Sequence, residues 1–324
     1  MKIVLTAFLG WLLTFLGVAY AQDTYPSSQV RLVTPFAPGG GSDLVTRVLA
    51  DALQKQLNQP VVVQNVAGAG GTVGTQAVAQ AKPDGYTLLL HHIGMATAPA
   101  LFNNLQFDPV ESFETVGLFA DMPMIVVGGK GLEPATMDEL MEYVKEKKSE
   151  ITFASSGAGS ATHLCALMFQ SLVGEDVTMV QYRGAAPALI DVQAGRVDLL
   201  CDVTGGIVSH IDSGNVKAFV LTADSRLERL PDLPTATELG ITGLGISAWY
   251  GLYAPAGTPA PIIDKLAKAL QSAVQDSTVQ HRLQKMDTLV FDASLATPEA
   301  HHERLSQQVA TWTDVIKKAG ISAK

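Results

Sequence analysis

The chain has 324 residues and a formal net charge of −9, from 22 basic and 31 acidic side chains with no basic stripe. That balance argues against nucleic acid as a partner. It also means that any bound anion must be held by local amides and dipoles, because the overall field repels it.

The N-terminus carries a processing signal. Met1 and Lys2 give a positive start, residues 3–18 are an apolar run, and Ala19-Tyr20-Ala21 is an A-x-A site. This is the pattern of a secretory signal peptide cleaved after Ala21. An uncleaved anchor is the alternative, since the run approaches spanning length, but the small-residue site and polar Gln22 follow at once. No cysteine stands at the cleavage position for lipid attachment, and no later stretch is apolar enough to span a bilayer. The expected mature protein is therefore soluble and exported to the periplasm. It has 303 residues, 21 fewer than the full chain, and a charge near −10 once Lys2 is gone. That length suits two lobes better than one core.

Strands and helices alternate from there. Residues 30–36 read as a strand, 42–57 as a helix and 61–64 as a second strand. A glycine-rich turn at 68–71 leads into a helix through Ala81, Lys82-Pro83-Asp84-Gly85 is a turn, and 87–91 form a third strand. This is the β-α-β-α-β rhythm of a parallel or mixed sheet covered by helices. A strand at 124–127 ends in Gly128-Gly129. The pattern then restarts with a helix at 137–147, a strand at 151–154 and "SSGAGSATHL" (155–164) as a second glycine turn into a helix. Strands follow at 178–181, 197–201 and 216–222, with helices between them. A last apolar strand, "AWYGLYA" (248–254), precedes helices at 261–275 and 298–319. The expectation is an α/β fold of two domains, each a mixed sheet flanked by helices. Residues 22–124 and 252–324 form a discontinuous first domain and 125–251 the second. The two crossings, near 123–127 and 248–253, make a hinge.

Catalytic signatures fail one by one. The glycines at 68 and 70 are followed by Val73 where a dinucleotide fingerprint needs Gly or Ala, and no acid ends the next strand. The P-loop pattern is missing. A nucleophile elbow at Ser155 would need glycine where Phe153 stands. His163 and Cys165 are two apart, so on a helix they diverge. His301-His302-Glu303 lacks the second-histidine spacing of a zinc helix and reads as a solvated face. Neither an enzyme, a metal nor a cofactor is expected. Cys165, on a helix, and Cys201, at a strand end, can meet in an oxidising compartment or serve as two small buried hydrophobes; the sequence leaves the pairing open.

A pair of matching sockets remains. In each lobe a strand ends in a Gly/Ser turn at a helix N-terminus: Gly39-Gly40-Gly41-Ser42 and Ser155-Ser156-Gly157-Ala158-Gly159-Ser160. Helix N-termini present unsatisfied N–H groups and about half a positive charge, so each suits a carboxylate. Ordinary capping is the plainer account of either turn alone, but it weakens when two occupy equivalent points of two lobes. Ligands of open α/β sheets sit at the carboxyl ends of strands, where His91, His92 and Asp202 also stand. Asp43 is a carboxylate beside an anion socket; capping its own amides is as good an account as touching ligand. Strand alternation lets only one of His91 and His92 face the cleft, and His92 is favoured.

The blocks "YPSSQVRLVTPFAPGGGSD", "PVVVQNVAGAGGTVGTQAVAQAKPDGYTLLL", "GRVDLLCD", "RLERLPDLPTATELG" and "WYGLYAPAGTPAPIIDKL" together resemble the Bug (TctC-type) family, the periplasmic solute-binding receptors of tripartite tricarboxylate transporters. The resemblance covers essentially the whole mature chain. It implies a Venus-flytrap fold closing over a small organic acid. In the family the loop at 35–43 anchors one carboxylate, partly through ordered waters, and the loop at 155–164 and the strand end at Asp202 complete the grip. The ligand-binding set is thus Phe36, Gly40, Gly41, Ser42, Asp43, His92, Ser155, Gly159, Ser160, Ala161 and Asp202. "HHIGMATAPALF" (91–102) stands where many members have small hydroxyl residues, so a histidine donor and Met95 point to a dicarboxylate, linear or aromatic like terephthalate. The implied partners are the membrane subunits of the transporter, and a monomer is the default for a receptor that hinges. A sensor on the same fold, signalling to a membrane kinase, is the alternative role.

Overall fold

The computed structural model describes residues 25–223 and 225–318; the expected signal peptide lies outside them. The chain order is β1 (Val30–Thr34), α1 (Gly41–Leu57), β2 (Val61–Asn65), α2 (Thr72–Ala79), β3 (Thr87–His91), α3 (Gly94–Leu101) and β4 (Phe113–Gly129). Then come α4 (Met137–Lys147), β5 (Thr152–Ser155), α5 (Ala161–Val173), β6 (Thr178–Gln181), α6 (Ala185–Gln193), β7 (Leu199–Val203), α7 (Thr204–Asp212) and β8 (Val216–Leu221). The chain returns through β9 (Ser247–Pro255), α8 (Ala260–Gln275), α9 (Ser277–Gln284), β10 (Leu289–Val290) and α10 (Pro298–Lys318).

Two mixed sheets share one strand. The first runs β2-β1-β3-β9-β4, with β1, β2 and β3 parallel, β9 antiparallel to β3 and β4, and β10 added to β4. In the second, parallel β6, β5 and β7 meet β4, which also pairs with β8. β4 serves both: Phe113 to Pro123 pair with β9, and Met124 to Gly129 pair with β7 and β8.

The sequence signals only 124–127 as a strand here; the longer strand contains Pro123 and Gly117, residue types that usually interrupt one. Pro123 sits at the transfer point between sheets, where a missing N–H costs least, and the register shifts near Gly117 and Phe119 absorb the irregularity. Thr222 ties the two crossings together. Its hydroxyl accepts from the Met124 amide at 2.8 Å and donates to the Ile246 carbonyl at 2.6 Å.

Local chemistry explains the helices. α1 buries Val45, Val48, Leu49, Ala52 and Leu53 at helical spacing and stops at Asn58 in the left-handed region (φ 52°). α4 starts from a capping box between Thr136 and Glu139. Helix α3 was not foreseen: its Pro99 and small residues carry little amphipathic signal, yet its first five residues are all buried.

The solvated face expected around His301 is half corrected. His302 and Glu303 are exposed, but His301 is fully buried with its ring 4.4 Å from Tyr253. It shares the inward stripe of α10 with Leu305, Trp312 and Ile316, a spacing that a three-residue motif search does not see. Burial pushes its imidazole down to about 3, so it is neutral.

A disulfide joins Cys165 of α5 to Cys201 of β7 across 36 positions. Closing a loop of that length in the unfolded chain is worth about 3–4 kcal/mol on the chain-entropy estimate. The Cys165→Ser/Cys201→Ser variant is therefore expected to unfold at a clearly lower urea concentration than the oxidised protein. Equal midpoints would mean that the link restrains nothing the unfolded chain explores.

Candidate functional site

Four helices begin at one point between the sheets. Each follows the carboxyl end of a strand: α1 after β1, α5 after β5, α6 after β6 and α7 after β7. Their first residues, together with the end of β3, enclose a cavity lined by Phe36, Ala37, Gly40, Gly41, Ser42, His92, Ser156, Ala161, Thr162, Ala185, Asp202 and Val203. Its free volume is about 20 Å³, room for about one water. Its lining contains no lysine or arginine.

Of the residues singled out in the sequence, Phe36, Gly40, Gly41, Ser42, His92, Ala161 and Asp202 line the cavity. Asp43, Ser155, Gly159 and Ser160 lie behind it and build its wall. Asp43 Oδ2 accepts from the Gly39 amide and from Arg47 Nε, both at 3.0 Å, and Oδ1 accepts from Asn65 Nδ2 at 2.9 Å. Burial would raise its carboxyl, but these bonds from Arg47, Gly39 and Asn65 outweigh it and hold the group ionised below its usual range. The neighbouring cation is thus already paired.

Ser160 caps α5 by accepting from the His163 amide. Thr162 Oγ1 accepts from the Ser156 amide at 2.7 Å, which folds the second glycine turn onto its own helix. The Ser155 hydroxyl donates to Gln181 Oε1 at 2.6 Å. Gly159 donates its amide to His163 Nδ1.

The histidines form an aromatic cluster. His92 stacks on Phe36 with centroids 4.7 Å apart and meets Tyr250 edge-on at 5.6 Å. β3 ends at His91, so the alternation rule stops there and both rings are buried; His92 lines the cavity. Its Nδ1 accepts from the Gly94 amide at 2.9 Å. Burial drives the imidazole to about 3, so the single proton sits on Nε2 and the neutral ring is a hydrogen-bond donor. The Ser42 hydroxyl shares a hydrogen bond with the Tyr250 hydroxyl at 2.9 Å.

Asp202 is the acid of the cavity. It is fully buried, among the described residues its Oδ1 accepts only the Val203 amide, at 2.8 Å, and burial pushes its carboxyl up to about 7.

The expected set also lacks Ala37, Ser156 and Thr162, which line the cavity from within the two loops the sequence pointed to, and the sequence missed Ala185 and Val203 altogether. α6 starts at Gly184-Ala185 with no hydroxyl cap, and α7 follows β7 with no turn between. The usable signals were the Gly184-Ala185-Ala186 run and Gly205-Gly206 just after Asp202. The latter pair has a physical role. A Cβ on Gly41 would run into Val203 and come within 3.2 Å of the Gly206 amide, so α1 and α7 meet N-terminus to N-terminus with backbone nearly touching.

Comparison with known proteins agrees with this architecture. Residues 45–321 match the model of the tripartite tricarboxylate transporter family receptor. Three solved structures are similar over nearly their whole length. The periplasmic binding protein BugD is 43% identical, covers 92% of this chain and 99% of its own, and superposes with a TM-score of 0.89. MatC (Rpa3494) from Rhodopseudomonas palustris, with bound malate, is 36% identical over 90% of this chain and 100% of its own, at 0.87. Rpa4515 from R. palustris, with adipate, is 28% identical over 92% and 99%, at 0.87. The chain belongs to the tripartite tricarboxylate transporter receptor (TctC) family, whose members are solute-binding proteins of the Bug type.

Proposed function

We propose that this protein is a periplasmic receptor that closes two lobes over a linear dicarboxylate and presents it to the membrane subunits of a tripartite tricarboxylate-type transporter. The observation that carries this reading is the convergence of four helix N-termini on a cavity with no cationic side chain. Free amides and aligned dipoles suit carboxylate oxygens, and charge-assisted hydrogen bonds are the strong kind. The malate and adipate held by the similar structures are both linear dicarboxylates.

The lobes are residues 22–124 with 252–324, and 125–251, as the sequence divides them, and β4 and β9 are the crossings. With room for about one water, the cavity takes in a dicarboxylate as its walls part, and the lobes then close again with the lining side chains moved aside around it. α1 and His92 come from one lobe and α5, α6, α7 and Asp202 from the other. The ligand therefore completes its contacts only on closure, and that difference in affinity drives the closing motion. Such work needs binding and release, not catalysis. Export through residues 1–21 and a monomeric state fit the same role.

A thermal-shift screen of the mature protein, stripped of co-purified ligand, tests the reading. The panel is mono-, di- and tricarboxylates, terephthalate and amino acids. Stabilisation that rises with concentration is expected for malate- to adipate-length diacids, because a ligand bound only by the folded state raises its stability by RT ln(1 + [L]/Kd). Stabilisation by uncharged or cationic compounds alone would reduce the glycine turns to helix caps.

A further inference from the structure

The cleft has a second set of contacts, outside the lining of the cavity. The turn at Ala69–Gly71, ahead of α2, lies against the turn at residues 157–160 of the other lobe. Gly70 is the point of contact. A Cβ built on it would fall onto the Ala158 carbonyl oxygen, 2.6 Å from that carbonyl carbon and 3.2 Å from the Ser160 amide nitrogen. The approach is reciprocal, since a Cβ on Gly157 would lie 2.8 Å from the Gly70 nitrogen and 3.1 Å from its Cα. Two further contacts continue the seam. Thr97 of α3 donates to the Gly159 carbonyl at 3.3 Å, and the Phe102 ring packs directly over Gly159. On the far side of the cavity, Gly39 faces Ala186 of α6, where a Cβ would make an ordinary 3.8 Å contact. None of Gly70, Gly157, Thr97 or Ala186 lines the cavity.

We propose that Gly70 is a positioning residue for ligand binding: its missing side chain sets how far the lobes close, and so how well the two groups of helix N-termini reach one ligand. The inference rests on the two-lobe reading above. Hydrogen bonds weaken steeply as donors and acceptors move out of range, so a seam held slightly open weakens contacts to a ligand it never touches. Hydrogen bonds tie the second turn to α5, Ser156 through Thr162 and Ser160 through Thr162 and His163, so yielding would cost them.

The test compares three variants by calorimetric titration with malate and with adipate, and by small-angle scattering with and without each acid. Gly70→Ala wedges the seam. Gly70 is left-handed (φ 64°), so alanine there also carries backbone strain. Gly240→Ala controls for that strain: its φ is 67° and nothing lies within 4 Å of the added methyl. Ala186→Leu wedges the opposite side from within a helix, with no backbone strain, and serves if Gly70→Ala folds poorly.

Both wedges are expected to raise Kd by about tenfold or more, as the closure-competent fraction falls by that factor, and to leave a larger radius of gyration in the presence of acid. Gly240→Ala is expected to bind like wild type. Gly70→Ala and Ala186→Leu binding as tightly as Gly240→Ala would overturn the proposal. Wild-type protein that binds neither acid would overturn the dicarboxylate reading. The seam is then judged with whichever compound of the thermal-shift panel stabilises the wild type, where equal affinity of Gly70→Ala and Gly240→Ala for it rejects the proposal.

Discussion

Gly40→Asp is expected to weaken dicarboxylate binding by at least about 100-fold while leaving the fold as stable as before. Gly40 is the N-cap of α1, with φ −83° and ψ 169°, an extended conformation that any residue adopts. A Cβ there meets only the Ala185 methyl, at an ordinary 3.7 Å, so the side chain fits. Aspartate is a preferred N-cap because its carboxylate accepts from the amides at the second and third helical positions, here Ser42 and Asp43. It would thus occupy with its own anion the donors that the proposed function assigns to the ligand. Two like charges cannot share the same few amides in a cavity that holds about one water. Stability should be unchanged or higher by a few tenths of a kcal/mol, the usual gain of Asp over Gly at this position. Gly40→Ala, which adds bulk without charge, is the control and should bind within a few-fold of wild type. Titration calorimetry and a urea melt read both quantities. Retained affinity in Gly40→Asp, with an intact melt, would remove the α1 socket from the site.

The parts of this site that could be seen in the sequence are those where a glycine run interrupts an apolar pattern. "PFAPGGGSD" and "SSGAGSATHL" each combine a strand end with positive-φ glycine, and both turns lie where the strand-to-helix rhythm put them; only the second has a hydroxyl at the cap, Ser160, since Gly40 caps α1 and Ser42 stands inside the helix. The starts of α6 and α7 escaped because they lack that punctuation. Only Gly184 marks the first, and the second turns straight out of β7 at Val203. His92 was reached by strand alternation, a rule that ceases one residue too early to decide between it and His91. Four residues of the expected set, Asp43, Ser155, Gly159 and Ser160, stand one layer back. A sequence cannot tell a group that holds a loop from a group that the loop holds out, since both need the same polar side chain at the same turn. β4 shows the complementary failure. Its 17 residues are nearly all buried on both faces, so there is no alternation to count, and Pro123 disguises the place where one strand passes from the first sheet to the second.

Asp202 is expected to make dicarboxylate binding depend on pH, and the sign follows from its burial. Its carboxyl is pushed from 3.8 to about 7 because the ionised form has lost its water and, among the described residues, accepts only the Val203 amide. The folded protein therefore keeps a proton that the unfolded chain releases near pH 4. Stability from this group is present at low pH and declines as pH rises from about 4 to about 7. An anion arriving in the same cavity repels the ionised form and favours the protonated one, so the group's affinity for its proton rises further on binding. Above pH 7 the diacid must then bring a proton with it. Kd is expected to rise by up to about tenfold per pH unit from pH 7 upward, and calorimetry in buffers of different ionisation enthalpy should register the uptake of close to one proton per ligand bound. Below pH 7 the dependence should flatten, since Asp202 is already neutral and His92, held near 3 by its burial, does not titrate there. Asp202→Asn fixes the neutral state at nearly the same shape. It should abolish the slope, bind like wild type near pH 6 and bind more tightly than wild type at pH 8.5. The contrary result is informative in its own right. An asparagine variant that loses binding at every pH would mean that Asp202 acts ionised, as an acceptor for a ligand N–H or O–H, and would move the favoured ligand from a plain diacid to one carrying such a donor.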